Sequence, residues 1–198
     1  LVSKPDGSKR FCIDFCQLND NTIKQNFPIP HTQDLYNSLK EAKIFSKIYL
    51  EAAYHQVRMN ALDEEKTGLI AQDRCYQWKV LPFGLKNVPF TFQKIVQNVL
   101  KEFMSQFVLV YIDDICVYSD NEEQYLRHLR CVLQRLTEVG FFVNLKKCQF
   151  LKSEVSFLGF RIGNGKMSIP QQQIREVIDF ENPKIGQNYG HSTDLSAV

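Results

Sequence analysis

"FVLVYIDDICVYSD", residues 107–120, sets two aspartates side by side in an otherwise apolar, β-branched and aromatic run. Such residues suit strands, so the run reads as two short strands hinged at "IDD" (112–114). An ionised carboxylate taken out of water must be paired, protonated or bound to a cation. Something positive is therefore expected beside Asp113 and Asp114. In a straight strand adjacent side chains face opposite sides; a tight turn at 112–114 relaxes that restriction and lifts the pair to one surface. Carboxylate oxygens suit magnesium, which keeps several waters and takes one or two carboxylates plus substrate phosphates. On spacing alone, a polar hairpin tip with two solvated aspartates is the plainer reading.

Composition sets the frame around that hairpin. With 198 residues, 44% hydrophobic and 12% aromatic, the chain is able to bury a core and fits one domain, or one domain plus a fragment. The net charge of +2 permits a polyanionic partner without demanding one. No apolar run reaches membrane-spanning length and no signal-peptide pattern opens the chain, so a cytoplasmic setting is expected. The six cysteines show no C-x-x-C pair and no zinc-ligand spacing, and read as reduced thiols. The start at Leu1 reads as a piece of something larger.

The chain alternates strands and helices without repeats. "KPDGS" (4–8) is turn chemistry before a strand at "KRFCIDF" (9–15). "FPIPH" (27–31) is irregular, and a helix follows over 32–40. "KIFSKIYL" (43–50) and "CYQWKVLP" (75–82) read as strands. From Asn87, an expected N-cap, with Pro89 near N1, Phe92, Ile95, Val96, Val99, Leu100 and Phe103 recur at helical spacing. A second amphipathic helix carries Leu126, Leu129, Leu133 and Leu136 and stops at Gly140. "FFVNL" and "EVSFLGFRI" are further strands, and a last helix opens behind Pro170. After Pro183 the pattern fades into an expected disordered tail.

"KPDGSKRFCIDFCQLN", "FPIPHTQDL", "FSKIYLEAAYHQV", "LPFGLKNVPFTFQ", "VYIDDICVYS", "CVLQRLTEVGFFVNLKKCQF" and "FLGF" occur in this order. Together they resemble the reverse transcriptase of gypsy-like long-terminal-repeat retrotransposons, up to about residue 184. The resemblance implies an α+β fold: right-hand polymerase fingers (about 1–42 and 57–80) and palm (about 43–56 and 81–165), with an antiparallel palm sheet packed on helices. The start of a thumb or connection would follow at 166–184, most of the thumb being absent, and 185–198 would be the tail. It also implies RNA-directed DNA polymerase chemistry by two-metal phosphoryl transfer with Mg2+ or Mn2+. The implied partners are an RNA or DNA primer-template, deoxynucleoside triphosphates and the ribonuclease H, integrase and protease of a Pol polyprotein, which this chain lacks. No membrane partner is implied, and the setting would be the cytoplasm or a retroelement particle.

By resemblance, Asp113 and Asp114 are catalytic metal ligands, and Lys4 and Arg10 reach the triphosphate. Tyr54 would form the wall under the sugar, a core tyrosine being nearly as good a reading. Phe83 and Gly84 line the nucleotide pocket, and Phe157, Leu158, Gly159 and Phe160 form a primer grip. The third metal carboxylate belongs to a pattern written Phe-Ser-Lys-hydrophobic-Asp-Leu, which here is Phe45, Ser46, Lys47, Ile48, Tyr49, Leu50. A tyrosine stands at the aspartate position. A phenol carries no charge at neutral pH and is no magnesium ligand, so metal binding should be weakened and catalysis impaired. Glu51 lies two residues on, about 6 to 7 Å along a strand, too far to substitute without backbone movement.

Two more departures accompany Tyr49. Cys16 replaces a usually basic residue, and Phe90 replaces a usually small one, with overpacking expected. Three readings stay open: a crippled polymerase domain, a non-enzymatic nucleic-acid-binding remnant, and an inert fragment in which Tyr49 records a single-base change.

Overall fold

The computed structural model describes residues 2–3, 7, 9–10, 13–26, 37–104, 106–171 and 175. The chain divides into two units, residues 1–168 and 169–198, and the first carries the architecture. Its elements are β1 (Val2–Ser3), β2 (Lys9–Arg10), α1 (Cys16–Asp20), β3 (Ile44–Tyr49), α2 (Ala61–Glu64), β4 (Leu69–Ala71), β5 (Arg74–Tyr76) and α3 (Val88–Val99). They continue as β6 (Val108–Tyr111), β7 (Asp114–Ser119), α4 (Glu122–Glu138), β8 (Gln149–Lys152), β9 (Glu154–Phe157), β10 (Phe160–Gly163) and β11 (Lys166–Ser168).

The centre is a four-stranded antiparallel sheet in the order β6-β7-β3-β8. Alternation along its strands sends side chains into two separate cores. Ile48, Val108, Val110, Ile115 and Val117 face α3 and α4, meeting Val88, Phe92, Val96, Leu100, Val132 and Leu136. Phe45, Cys116 and Tyr118 face the other way and pack with Leu39, Val155, Phe157 and Ile162, the last three from the β9–β10–β11 sheet. Covered on both faces, β7 is buried at every position after Asp114. That is why "ICVYS" reads as an unbroken apolar run rather than an alternating one.

Several expectations are corrected. Of the expected 9–15 strand, Lys9–Arg10 are extended, 11–12 lie outside the described residues and 13–15 are not strand; α1 begins at Cys16, where the Asp14 Oδ1 accepts from the Cys16 N–H at 2.8 Å. This turn chemistry ends the extended run. The 75–82 strand stops at Tyr76, because β5 is tied to β4 through a turn in which Gln72 and Asp73 both have positive φ. "FFVNL" contributes only an isolated bridge, Leu50 to Val143. Asn87 starts α3, but its side chain does not cap it. It accepts from the Gln25 N–H and donates to the Ile23 carbonyl instead. In α4 the inward position belongs to Tyr125, and Leu126 is exposed. The Tyr125 hydroxyl explains the exchange, meeting the buried Ser46 Oγ at 2.7 Å and accepting from the Leu151 N–H at 3.1 Å. Phe90 is half-buried rather than in the core. Of the 32–40 helix, 37–39 are helical as described; the remainder, most of the helix behind Pro170 and the tail after 183 lie outside the described residues.

Candidate active site at the β6–β7 hairpin

Tyr111 and Asp114 are paired residues of β6 and β7, so Ile112 and Asp113 are the two residues of the turn. Ile112 has φ +50°, a conformation that glycine takes freely and a β-branched residue resists. The strain is held by a residue given no role from the sequence. Gln93, in α3 and 1% exposed, accepts the Ile112 N–H on its Oε1 at 3.0 Å and points its amide at the Val110 carbonyl at 3.4 Å. Its signal was a polar side chain one position after Phe92 in a helix of apolar spacing, a buried amide that must be satisfied.

The two carboxylates have different partners. Asp113 is hydrogen-bonded to the Tyr54 hydroxyl, and desolvation followed by the Asp114 charge raises its pKa despite that bond. Tyr54 is pushed up to about 12 by burial and by the Asp113 charge. It therefore remains a donor to Asp113 throughout the neutral range. Asp114 lies in register with Tyr49 on β3. Two residues back, and hence on the same face, Lys47 places its Nζ 2.8 Å from Asp114 Oδ2. That ammonium also donates to the Ser156 carbonyl at 3.0 Å and lies 5.2 Å from the centre of the Tyr49 ring. Burial works against its charge, but hydrogen bonds to Asp114 and Tyr49 outweigh it and raise the Lys47 pKa. The cation expected beside the aspartates is, at Asp114, a lysine of the neighbouring strand β3.

The donor set does not fit two divalent ions. Two carboxylates and a phenol converge, one carboxylate already holds an ammonium, and among the described residues no three His, Cys, Asp or Glu side chains gather as metal ligands. Glu51 is turned elsewhere: its carboxylate is hydrogen-bonded by the Asn144 amide.

Around this pair the structure assembles part of the remaining set. Tyr54 is 8% exposed and packs in the core cluster, with its hydroxyl directed to Asp113. Its ring lies 5.1 Å from that of Phe83, which also meets His55 at 5.1 Å. Gly84 has φ +100°, and a Cβ there would come within 3.3 Å of the Phe15 ring. Its carbonyl accepts from Asn19 Nδ2 at 2.8 Å while Asn19 Oδ1 accepts the Lys86 N–H at 2.8 Å. The "CQLN" and "LPFGLKN" segments are thus stitched together, beside a cavity of about 770 Å³ lined by Asn19, Arg58, Lys66, Lys86 and Asn87 among others.

The "FLGF" hairpin also forms, with Phe157 paired to Phe160 across a turn in which Leu158 and Gly159 have φ +53° and +79°. Phe157 is buried at 2% exposure and anchors the hairpin, and Gly159 is exposed at the tip. Lys4 and the Arg10 side chain lie outside the described residues. Cys16 is exposed, and its thiol pKa is raised first by the hydrogen bond to Asp14.

Residues 2–162 match the family model for "Reverse transcriptase (RNA-dependent DNA polymerase)". The chain is 35% identical over 182 residues to a retrovirus-related Pol polyprotein from transposon opus of Drosophila melanogaster, covering 91% of this chain and 18% of that protein. To the corresponding polyprotein from transposon gypsy of the same organism it is 32% identical, covering 89% and 17%. It therefore spans less than a fifth of these curated relatives. Among solved structures, the foamy viral protease-reverse transcriptase in complex with double-stranded DNA superposes with a TM-score of 0.79 at 27% identity, over 92% of this chain and 32% of that one. The same viral protein with an RNA/DNA hybrid gives 0.75 at 26%, over 92% and 24%. A hairpin bearing Tyr-Ile-Asp-Asp on an antiparallel sheet, backed by two helices and matched across nearly its whole length, places this chain in the reverse transcriptase family.

Proposed function

We propose that this chain is the fingers and palm of a retroelement RNA-directed DNA polymerase, built to hold primer-template and deoxynucleotide but suppressed in phosphoryl transfer. The fingers would take residues 1–42 and 57–80, and the palm 43–56 and 81–165. The single observation that carries the reading is the register of Tyr49 with Asp114. A phenol stands across from the turn carboxylate, where the family pattern has a third oxygen anchor. Losing a ligand worth about 4 kcal/mol at the transition state slows chemistry by roughly three orders of magnitude.

Binding depends on other groups. Lys86, Arg58, Lys146, Lys147 and Lys152 are exposed on the first unit, and phosphate neutralisation by such residues makes affinity fall as salt rises. The foamy viral relatives were solved with double-stranded DNA and with an RNA/DNA hybrid, which supports the same ligand classes here. Tyr54, Phe83 and Gly84 would receive the nucleotide, Lys4 and Arg10 its triphosphate, and the Leu158–Gly159 tip the primer end. The setting would be the cytoplasm or a retroelement particle, alongside the other Pol activities.

Primer extension on a homopolymer template, with the unmodified chain and Tyr49→Asp side by side, tests the reading. Extension by Tyr49→Asp alone supports suppression by Tyr49. Comparable extension by the unmodified chain overturns it. Salt-dependent binding without extension by either protein supports the second reading, a binding remnant, favoured by the intact Asn19–Gly84–Lys86 stitching.

A further inference from the structure

The ammonium of Lys47 has three N–H donors and two close acceptors, Asp114 Oδ2 at 2.8 Å and the Ser156 carbonyl at 3.0 Å, with the Tyr49 ring centre 5.2 Å away. A lysine with two of its donors used and its charge matched by a carboxylate is a paired, partly buried cation, not a side chain waiting for a ligand. The two acceptors belong to β7 and β9, and Lys47 itself to β3. Lys47 therefore also joins the central sheet to the sheet that bears the 158–159 tip. Tyr49 helps hold it there, since the ring lies 5.2 Å below the ammonium on the same strand face. An aspartate at 49 would offer a second negative charge at this place; tyrosine offers a π face and one oxygen.

We infer that Lys47 is the resident cation of Asp114, and that a divalent metal ion shared by the Asp113–Asp114 pair reaches Asp114 only by displacing it. The chain's own ammonium thus competes with metal at Asp114, in addition to the site lacking an oxygen ligand. This rests on reading the pair as the cation-facing centre, and it is independent of whether nucleotide transfer occurs. A metal ion approaching Asp114 meets an ammonium that must first break a charge-assisted hydrogen bond and leave the Ser156 carbonyl unpaired. Removing the ammonium removes that cost.

Mn2+ binding followed by electron paramagnetic resonance of the free ion tests this directly, without any activity measurement. The proteins are the unmodified chain, Lys47→Met, Lys47→Gln and Lys47→Met with Asp114→Asn. Met keeps the apolar stem against Tyr49, and Gln keeps an amide donor for Ser156 should Met impair folding, which circular dichroism monitors. Either Lys47 variant should bind Mn2+ about tenfold or more tightly than the unmodified chain, the range set by a charge-assisted hydrogen bond that no longer has to be broken. Adding Asp114→Asn should erase the gain. Equal affinities for unmodified and variant proteins, including no binding by any of them, overturn the inference, as does a gain that survives Asp114→Asn. A failure of the polymerase reading would appear only in primer extension and would leave these affinities unchanged.

Discussion

Two hairpins in this molecule turn on two residues each, and both place a bulky side chain where glycine fits more easily. At the β6–β7 turn Ile112 has φ +50°; at the β9–β10 turn Leu158 has φ +53° and is followed by Gly159 at +79°. The second turn has positive φ at both central positions, the twist that antiparallel hairpins favour, with glycine at one of them. Its Leu158 packs against the cluster of Phe45, Phe157 and Ile162 and recovers some of the strain as burial. The first turn has no glycine. It is held from behind by the buried Gln93, whose carbonyl takes the Ile112 N–H. Strain of about 1 to 3 kcal/mol survives only where its surroundings over-determine it, and at Ile112 the surroundings are a helix and a hydrogen bond. The hairpin that carries the charges is the one clamped to the core.

The largest expected effect asks whether that hairpin is a chemical centre. Tyr49→Asp should raise single-turnover nucleotide addition by roughly three orders of magnitude, and Asp113→Asn in the same protein should return it to background. The gain without its loss would detach the charges from the turn. Next comes the clamp. Gln93→Leu leaves the Ile112 N–H without its acceptor and should cost about 1 to 3 kcal/mol in urea unfolding, with faster hydrogen exchange at the Ile112 amide. No equivalent residue secures Leu158 in the described structure, so the exchange rate at 158 should not change.

A smaller effect compares the turns themselves. Ile112→Gly should stabilise the protein by about 1 kcal/mol, by relief of the positive φ, whereas Leu158→Asn should be near neutral because the relief is offset by lost packing. Thermal unfolding of both decides it; a gain of equal size in the two would erase the distinction drawn here.

The smallest effect is electrostatic. The Asp113 pKa is raised in the folded chain by desolvation and by Asp114, so between its unfolded and folded values the native state binds more protons. Stability then falls as pH rises through that raised value. Asp113→Asn should flatten this slope, gaining about a few tenths of a kcal/mol at neutral pH once solvent screening at the exposed turn is counted. Unfolding midpoints at several pH values measure it.

Legibility followed the range of the interaction. The 107–120 run announced its strands and turn because β-branched density and a paired carboxylate act over a few residues, and α3 was readable from apolar spacing alone. The expectations at 13–15 and 77–82 failed for a complementary reason: Asp14 accepting from the Cys16 amide turns the chain into α1, and β5 is held by its pairing with β4, neither of which propensity reports. In α4, Leu126 had the right spacing and Tyr125 took the core, since a hydroxyl was needed to satisfy Ser46 and the Leu151 amide.

By itself the sequence determined the composition of the site: which carboxylates are present at 113 and 114, and that a tyrosine stands at 49, because residue identity and strand periodicity are local properties. Only the tertiary structure decided what those groups meet. Lys47, Asp114 and Tyr49 come together by the register of β3 against β7, and Ser156 joins them from another sheet. Register is fixed by which faces are buried, and burial is a property of the whole packed chain rather than of any stretch within it.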